Sequence, residues 1–301
     1  MSLCRDRVVI VTGAGRGIGR AHALAFAAEG ALVVVNDIGV ALDGSVTGDG
    51  PADQVVAEIE QRGGRAVASK HDVADFDGAR DLIGTAIGEF GRLDVLVNNA
   101  GFVRDRMLVN LGEEEWDAVI RVHLKGHFAT MRHAAAYWRA EAKAGRTPQA
   151  RVINTTSGAG LLGSVGQSSY SAAKAGIATL TVVAAVELGR YGVTVNAIAP
   201  SARTRMTEEV FASDMAKPDS GFDAMAPENV SPLVVWLGSE ESAAVTGRVF
   251  EVEGGKVSLA RGWEHGPAAD KGARWEPAEL GPVVGELLAK APEPEPVYGA
   301  S

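Results

Sequence analysis

Residues 7–19 read Arg-Val-Val-Ile-Val-Thr-Gly-Ala-Gly-Arg-Gly-Ile-Gly. A β-branched apolar run passes into glycines at 13, 15, 17 and 19, and then into a helical pattern that continues to about Glu29. The run has the composition of a buried strand. Strand, glycine turn and helix, in that order, form the setting in which a glycine motif signifies dinucleotide binding. Without side chains the backbone can touch a pyrophosphate, and the free N–H groups of the helix N-terminus point at it. The spacing Gly13-x-x-x-Gly17-x-Gly19 differs by one residue from the usual G-x-G-x-x-G. Gly15, Arg16 and Ile18 complete the expected phosphate loop. Taken without its flanks, the loop reads equally as a flexible turn.

Working outward, residues 31–36 form a second buried strand that ends at Asp37. A carboxylate about 20 positions past the glycines is placed to bind the adenosine ribose hydroxyls, and it repels a 2′-phosphate. Arg16 pulls the other way, toward NADP. NAD is therefore the expected cofactor, with NADP second. Residues 38–50 read as an exposed loop, followed by a helix over 51–62 and a strand over 65–70. Asp72-Val73 then reads either as an adenine contact or, through Asp72, as a helix N-cap. A helix over 76–90 leads to the strand Val95-Leu96-Val97 and the turn Asn98-Asn99-Ala100-Gly101. That turn lies on the carboxyl edge of the sheet, where doubly wound folds bind ligands.

Residues 113–144 read as one long helix with a possible break, and 151–155 as a strand that closes on Ser157. The helix over 168–189 begins with Tyr170 and Lys174 and is apolar on every side. Positions i and i+4 share a helix face, so phenol and ammonium point the same way. A cation beside a phenol favours the phenolate and fits it for proton transfer near neutral pH. Alone, the pair reads as two ordinary surface residues. A helix apolar all round must be covered on both faces. The sheet takes one, and a second subunit is the expected cover for the other, as a homodimer or homotetramer. A strand over 193–198 ends at Pro200, and the irregular region 200–226 reads as a lid or as an ordinary surface loop. A helix over 227–237 and a strand over 248–252 close the alternation.

About seven strands separated by helices predict an α/β fold, a Rossmann-type doubly wound parallel sheet with helices on both faces. One domain is expected over 1–258, with an extension over 259–301 that carries a helix at about 278–290 and a Pro/Glu-rich tail. The 301 residues carry a formal net charge of −9, which opposes a nucleic-acid partner. The single cysteine, Cys4, excludes an intrachain disulfide and fits a reducing compartment. The N-terminus shows no signal-peptide pattern, no apolar run reaches the roughly 18 residues of a membrane span, and a cytoplasmic location follows. The six histidines show no metal-ligand spacing, so no metal is expected; His123, His127 and His133 fall on one helix as packing residues.

The combination of Thr12–Gly19, Asp37, Asn98-Asn99-Ala100-Gly101, Ser157 and Tyr170-x-x-x-Lys174 resembles the classical short-chain dehydrogenase/reductase family over about residues 5–255. The resemblance implies a nicotinamide enzyme. In it Tyr170 is the acid/base, Ser157 holds the substrate oxygen, Lys174 binds the nicotinamide ribose and depresses the Tyr170 pKa, and Asn98 and Gly101 line the cofactor. Val34–Gly39, Arg104-Asp105-Arg106, Arg121–Leu124, Gly166-Gln167 and Arg205-Met206 are similar to the (3R)-hydroxyacyl-CoA dehydrogenase part of the peroxisomal multifunctional enzymes, a group also described as 17β-hydroxysteroid dehydrogenases. Two departures from the classical pattern stand out. His123 occupies the place of the family's relay asparagine, and Pro200-Ser201 that of a Pro-Gly, which leaves Thr204 nearest the nicotinamide amide.

The expected reaction interconverts a secondary alcohol and a ketone on a 3-hydroxyacyl-CoA. The alternatives are a free hydroxysteroid, an NADPH-dependent 3-oxoacyl reductase and, last, a non-catalytic nucleotide sensor. Arg104, Arg106, Arg203 and Arg205 are candidates for CoA phosphates or are solvated surface charges. Met206, Val210, Phe211, Met215, Phe222 and Met225 give the lid a composition suited to a bulky apolar substrate.

Overall fold

The computed structural model describes residues 2–39, 50–204 and 215–300. Its first half alternates strictly: β1 (Val8–Thr12), α1 (Gly17–Ala28), β2 (Leu32–Asn36), α2 (Pro51–Gln61), β3 (Arg65–Ser69), α3 (Phe76–Phe90) and β4 (Val95–Asn98). The second half continues with α4 (Glu113–Ile120), α5 (Gly126–Lys143), β5 (Ala150–Thr155), α6 (Gly158–Leu162), α7 (Ser168–Gly189) and β6 (Val193–Ser201). It ends with α8 (Ser231–Gly238), β7 (Val249–Glu253), β8 (Lys256–Leu259) and α9 (Leu280–Lys290). The strands form one sheet in the order β3-β2-β1-β4-β5-β6-β7-β8. All neighbours are parallel except β7 and β8. The chain order reverses direction beside β1, which opens a crevice at the strands' carboxyl ends.

Alternation along each strand sends side chains to opposite faces. Val9, Val11, Val33, Val35, Val95 and Val97 pack with Phe26 of α1, Ile59 of α2 and Leu237 of α8 on one face. Val8, Ile10, Val34, Leu96, Val152 and Val195 pack with Leu82 of α3, Trp138 of α5 and Ala184 of α7 on the other. Strands buried on both faces read as continuous apolar runs, as β1, β2 and β4 do.

Several expectations change. The sheet has eight strands, not seven. Gly254, at φ +53°, turns β7 back on itself so that β8 pairs antiparallel with it. Four residues, Lys-Val-Ser-Leu, carry too short an alternation to be seen as a strand. The possible break in the helix over 113–144 is a π-helical turn, Arg121–Lys125, joining α4 to α5. The extra residue of such a turn re-aims side chains, and here it carries the buried His123. The strand ending at residue 198 runs on to Ser201, with Pro200 paired to Val252 of β7 beyond the last β5 pair. Among the described residues one helix does reach membrane-spanning length and composition: α7, with 22 residues and mean hydropathy 1.4. It packs on β5 and β6 as a layer of the domain, while Val182, Val183 and Val186 on its outer side are exposed. Residues 205–214 of the expected lid, including Arg205, Met206, Val210 and Phe211, lie outside the described residues.

Trp138 is the largest fully buried side chain, and its indole N–H donates to the Leu93 carbonyl at 2.7 Å. Trp138→Ala removes that volume and orphans the carbonyl. We expect a loss of about 3–5 kcal/mol, measured as a lower denaturant midpoint with an unchanged slope.

Candidate active site

A cavity of about 1170 Å³ opens at the carboxyl ends of the strands. Its nucleotide side is built by contact between β1 and β4. The Thr12 hydroxyl accepts from the N–H groups of Asn99 (2.9 Å) and Ala100 (3.1 Å), and Asn99 Nδ2 donates to the carbonyls of Thr12 (3.0 Å) and Gly13 (3.2 Å). The turn after β4 is thereby stapled over the glycine loop. The approach leaves no room at Gly19, where a Cβ would meet the Gly13 oxygen at 2.2 Å and Asn99 Nδ2 at 2.5 Å.

Gly13, Arg16, Gly17, Ile18 and Gly19 line the cavity. No side chain caps the first turn of α1, and a Cβ on Gly17 would meet only Thr204, at 3.7 Å. An uncapped helix N-terminus behind a glycine-rich loop fits a bound phosphate group. Asp37 lies at the end of β2 and accepts from the N–H of Gly15 at 2.9 Å and of Gly39 at 2.8 Å. Each carboxylate oxygen is thus held by a backbone N–H, one of them in the glycine loop. Ile38, Asp72 and Val73 continue that wall.

Of the two readings of Asp72, the structure excludes the helix cap. The cap of α3 is Asp75, which accepts from Gly78 N–H at 2.8 Å. Asp72 accepts from Ala74 N–H at 2.8 Å and pairs with Arg121 at 2.5 Å.

On the other side, β5 ends at Thr155 and the next two residues hand the chain to α6. The Ser157 hydroxyl caps that helix at Ala159 N–H (3.2 Å) and stands near enough to the Tyr170 hydroxyl to lower its pKa. α7 is fastened along β5 by two buried bonds. Thr156 Oγ1 donates to the Lys174 carbonyl at 2.6 Å, and Asn154 Nδ2 donates to Thr181 Oγ1 at 2.9 Å. Lys174 Nζ, almost wholly buried, donates to the Thr155 carbonyl at 2.7 Å and lies 5.4 Å from the centre of the Tyr170 ring.

Burial lowers the Lys174 pKa to about 7. The Tyr170 phenol is pushed upward, mainly by burial and further by Asp105, against the lowering effect of Ser157. The expected depression of the phenol is therefore not a property of the cofactor-free chain.

His123 stands edge-on to Tyr170, ring centres 5.2 Å apart. Its Nε2 lies 2.6 Å from the Phe102 carbonyl oxygen, and its Nδ1 has no partner among the described residues. Burial and the nearby Lys174 hold it neutral. The ring leans on Gly101, where a Cβ would come within 2.2 Å of Cε1. His127, one turn further on, is also buried, and its pKa falls to about 3 through burial.

Ala100, Gly101, His123, Ser157, Tyr170, Lys174, Pro200 and Thr204 all line the one cavity. Gly15 and Asn98 do not. Asn98 is buried beneath the floor, where it donates to Asn154 Oδ1 at 3.0 Å and accepts from Thr130 Oγ1 at 2.7 Å. Arg203 is committed to Met215, Asp223 and Met225, and Arg106 pairs with Glu115 at 3.3 Å. Arg104 lines the cavity beside the Phe102 ring, and Arg205 lies outside the described residues. Met215 and Met225 line the cavity, whereas Phe222 is exposed. Glu251, Glu253, Lys256 and Tyr298 also line it and were not foreseen. Tyr298 had no signal in the sequence, because its contact depends on where a distant tail returns. Among the described residues no group of His, Cys, Asp and Glu could hold a metal ion.

The family model for short chain dehydrogenases matches residues 7–214, and the chain belongs to that family. It is an oxidoreductase of that class, and its nucleotide cofactor is of the NAD(P) type. It is similar to the hydroxyacyl-CoA dehydrogenase ChsB1 of Mycobacterium tuberculosis, 46% identical over 299 residues, covering 98% of this chain and 92% of that one. It is also similar to the peroxisomal multifunctional enzyme type 2 of Mus musculus, 44% identical over 258 residues, covering 86% of this chain but 33% of that longer protein. A crystal structure of a short chain dehydrogenase from Mycobacterium avium superposes with a TM-score of 0.90 at 68% identity, covering 99% of this chain and 100% of that one.

A lysine whose folded pKa is depressed binds fewer protons folded than unfolded. Folded Lys174 releases its proton near pH 7, and an unfolded lysine releases it near pH 10.4. Between these values the Lys174 contribution to stability therefore rises with pH, and below about pH 7 its burial penalty is fully present. Lys174→Met should remove that rise. Thermal melts of the cofactor-free chain from pH 6.5 to 10 measure it, as a shallower gain in the variant.

Proposed function

We propose that the chain is an NAD-dependent dehydrogenase of 3-hydroxyacyl-CoA thioesters, in which Ser157, Tyr170 and Lys174 carry the reaction. The observation that supports it is one cavity lined by the glycine loop, Asp37, Ser157, Tyr170 and Lys174 together. Bound NAD supplies the hydride acceptor. Gly13, Gly17, Gly19 and the start of α1 would hold its pyrophosphate, and Asp37 its adenosine ribose. Asp72 and Val73 would flank its adenine, Asn99, Ala100 and Gly101 its inner ribose, and Pro200 and Thr204 its amide.

Tyr170 Oη takes the proton from the substrate hydroxyl on oxidation and returns it on reduction. Ser157 Oγ, on the same cavity wall as Tyr170, orients the substrate oxygen. Lys174 favours the phenolate whenever it is charged, so it works with Tyr170 only where a neighbouring anion or hydroxyl offsets its burial. His123 Nδ1, buried and without a partner among the described residues, is the atom that would hold a water in a proton path away from Lys174.

NAD is favoured over NADP because Asp37 presents a carboxylate where a 2′-phosphate would lie. Arg16, on the same cavity wall, is the observation for the second reading, an NADPH-dependent 3-oxoacyl reductase. The acyl-CoA substrate class rests on the similarity to the hydroxyacyl-CoA dehydrogenase ChsB1, and apolar Met215 and Met225 on the wall suit a fatty or steroid-derived acyl group. The exposed outer valines of α7 support self-association.

Initial rates with NAD⁺ and NADP⁺ on a panel of 3-hydroxyacyl-CoAs and free hydroxysteroids test the reading. NAD⁺ with an acyl-CoA should be the fastest pair, and equal rates with both cofactors would sink the Asp37 argument. Tyr170→Phe should lower kcat by about 10³-fold or more while NADH affinity, read by fluorescence titration, stays within about twofold. Persistent turnover in that variant would remove Tyr170 from its role. Asp37→Ser should narrow the preference for NAD⁺ by about tenfold, roughly the effect of 1.4 kcal/mol.

A further inference from the structure

Beyond β8 the chain contributes no buried side chain: from residue 260 to residue 300 every residue is half-buried or exposed. Its last residues nevertheless return to the cleft. Tyr298 lines the same cavity as Ser157 and Tyr170. Its N–H donates to the Gly163 carbonyl at 3.2 Å, and its own carbonyl accepts from Val165 N–H at 2.9 Å. Residues 164 and 298 thus form a short parallel bridge. Across the same loop, the Gly166 carbonyl accepts from Arg106 N–H at 2.8 Å. Three segments therefore meet at one rim: the stretch after β4, the loop before α7, and the tail. The loop runs directly into α7 and Tyr170.

The side chains extend this contact. A Cβ on Gly158 would come within 2.8 Å of the Tyr298 hydroxyl oxygen, and one on Gly163 within 3.4 Å of Val297. Gly158 directly follows Ser157. The tail occupies space that two glycines leave open, beside the residue that orients the substrate oxygen. The Tyr298 hydroxyl has no hydrogen-bond partner among the described residues. Burial raises its pKa, as do Glu251, Glu253 and Glu295 around it, so the phenol stays protonated. A segment held by two backbone hydrogen bonds and no buried side chain belongs to the readily released parts of a fold.

We propose that Val297–Ala300 form a strap across the substrate end of the cleft, with Tyr298 as a specificity-determining residue that narrows the space beside Ser157 and disfavours bulky substrates. This rests on reading the cavity as the dehydrogenase cleft.

The test compares the intact chain with Tyr298→Ala and with a deletion of residues 293–301. The readout is the ratio of kcat/KM for 3-hydroxyhexadecanoyl-CoA over 3-hydroxybutyryl-CoA. Both variants should raise the ratio by about fivefold or more, with NADH affinity unchanged within about twofold. A purely structural role would lower both rates together and leave the ratio alone. A ratio that stays within about twofold of the intact chain, or that falls, overturns the proposal.

Docking of the tail is read separately. A Cβ on Gly299 would lie 3.7 Å from Val165 Cβ, inside the roughly 3.5–4.5 Å span of a disulfide. The double variant Val165→Cys/Gly299→Cys should therefore cross-link on oxidation, since the native Cys4 is buried and does not compete. The locked form should show a lower ratio that dithiothreitol restores. A locked form whose ratio does not fall also overturns the proposal. If the intact chain turns over no acyl-CoA at all, the functional reading has failed instead. In that case the cross-link and the ratio between large and small free hydroxysteroids decide on the strap.

Discussion

The burial of one ammonium group underlies the arrangement of the cleft. Lys174 sits almost wholly inside the protein with a single carbonyl, that of Thr155, to receive its proton. Burying a charge costs several kcal/mol unless partners compensate. The position is imposed by packing: α7 lies along β5 and β6, and Thr156 and Asn154 fasten it there from the strand side. Once the helix is fastened, Tyr170 one turn earlier must face the end of β5, where Ser157 begins the next element. The lowered Lys174 pKa is the electrostatic record of that constraint. The same packing that holds the three residues together also makes the ammonium responsive to whatever anion or hydroxyl enters beside it.

A second dependency links the two halves of the site. The turn after β4 is stapled over the glycine loop by Thr12 and Asn99, and its last residue, Gly101, is the floor on which the His123 ring rests. The π-helical turn that carries His123 brings the ring edge-on to Tyr170. The nucleotide side and the reacting side therefore share a wall one glycine thick. A side chain at 101 would displace the imidazole and disturb both at once.

Much of this was legible in the chain, for identifiable reasons. β1, β2, β4 and α7 announce themselves by composition, because strands buried on both faces and a helix apolar all round leave long unmixed runs. The glycine loop and the Tyr170–Lys174 spacing are local, so their geometry follows from sequence distance. What escaped was non-local or short. β8 has four residues and an alternation too brief to register. The π-helical turn inserts one residue without changing composition. Asp72 and Asp75 are equally good caps on paper, and only the backbone at Asp75 decides between them. Asn98 sits in a motif that faces the cofactor in outline, yet its side chain turns down into the sheet to Asn154 and Thr130. The upward shift of the Tyr170 phenol depends on how much surrounds it, which spacing alone does not report.

Arg203 has a consequence of a different kind. Its guanidinium donates to the Met215 carbonyl at 2.8 Å and pairs with Asp223, and its backbone N–H donates to the Met225 carbonyl at 2.7 Å. One residue thus pins the far side of the stretch 205–214 close to the near side. When the two ends of a chain segment are tied independently of what lies between them, closure entropy grows only slowly, by roughly 0.6 kcal/mol for each doubling of length. The stretch can therefore lengthen, shorten or change composition over generations while β6, Thr204 and the cofactor wall stay where they are. The tie holds Thr204 and the cofactor wall to the segment beyond Met215, whatever length of chain it spans.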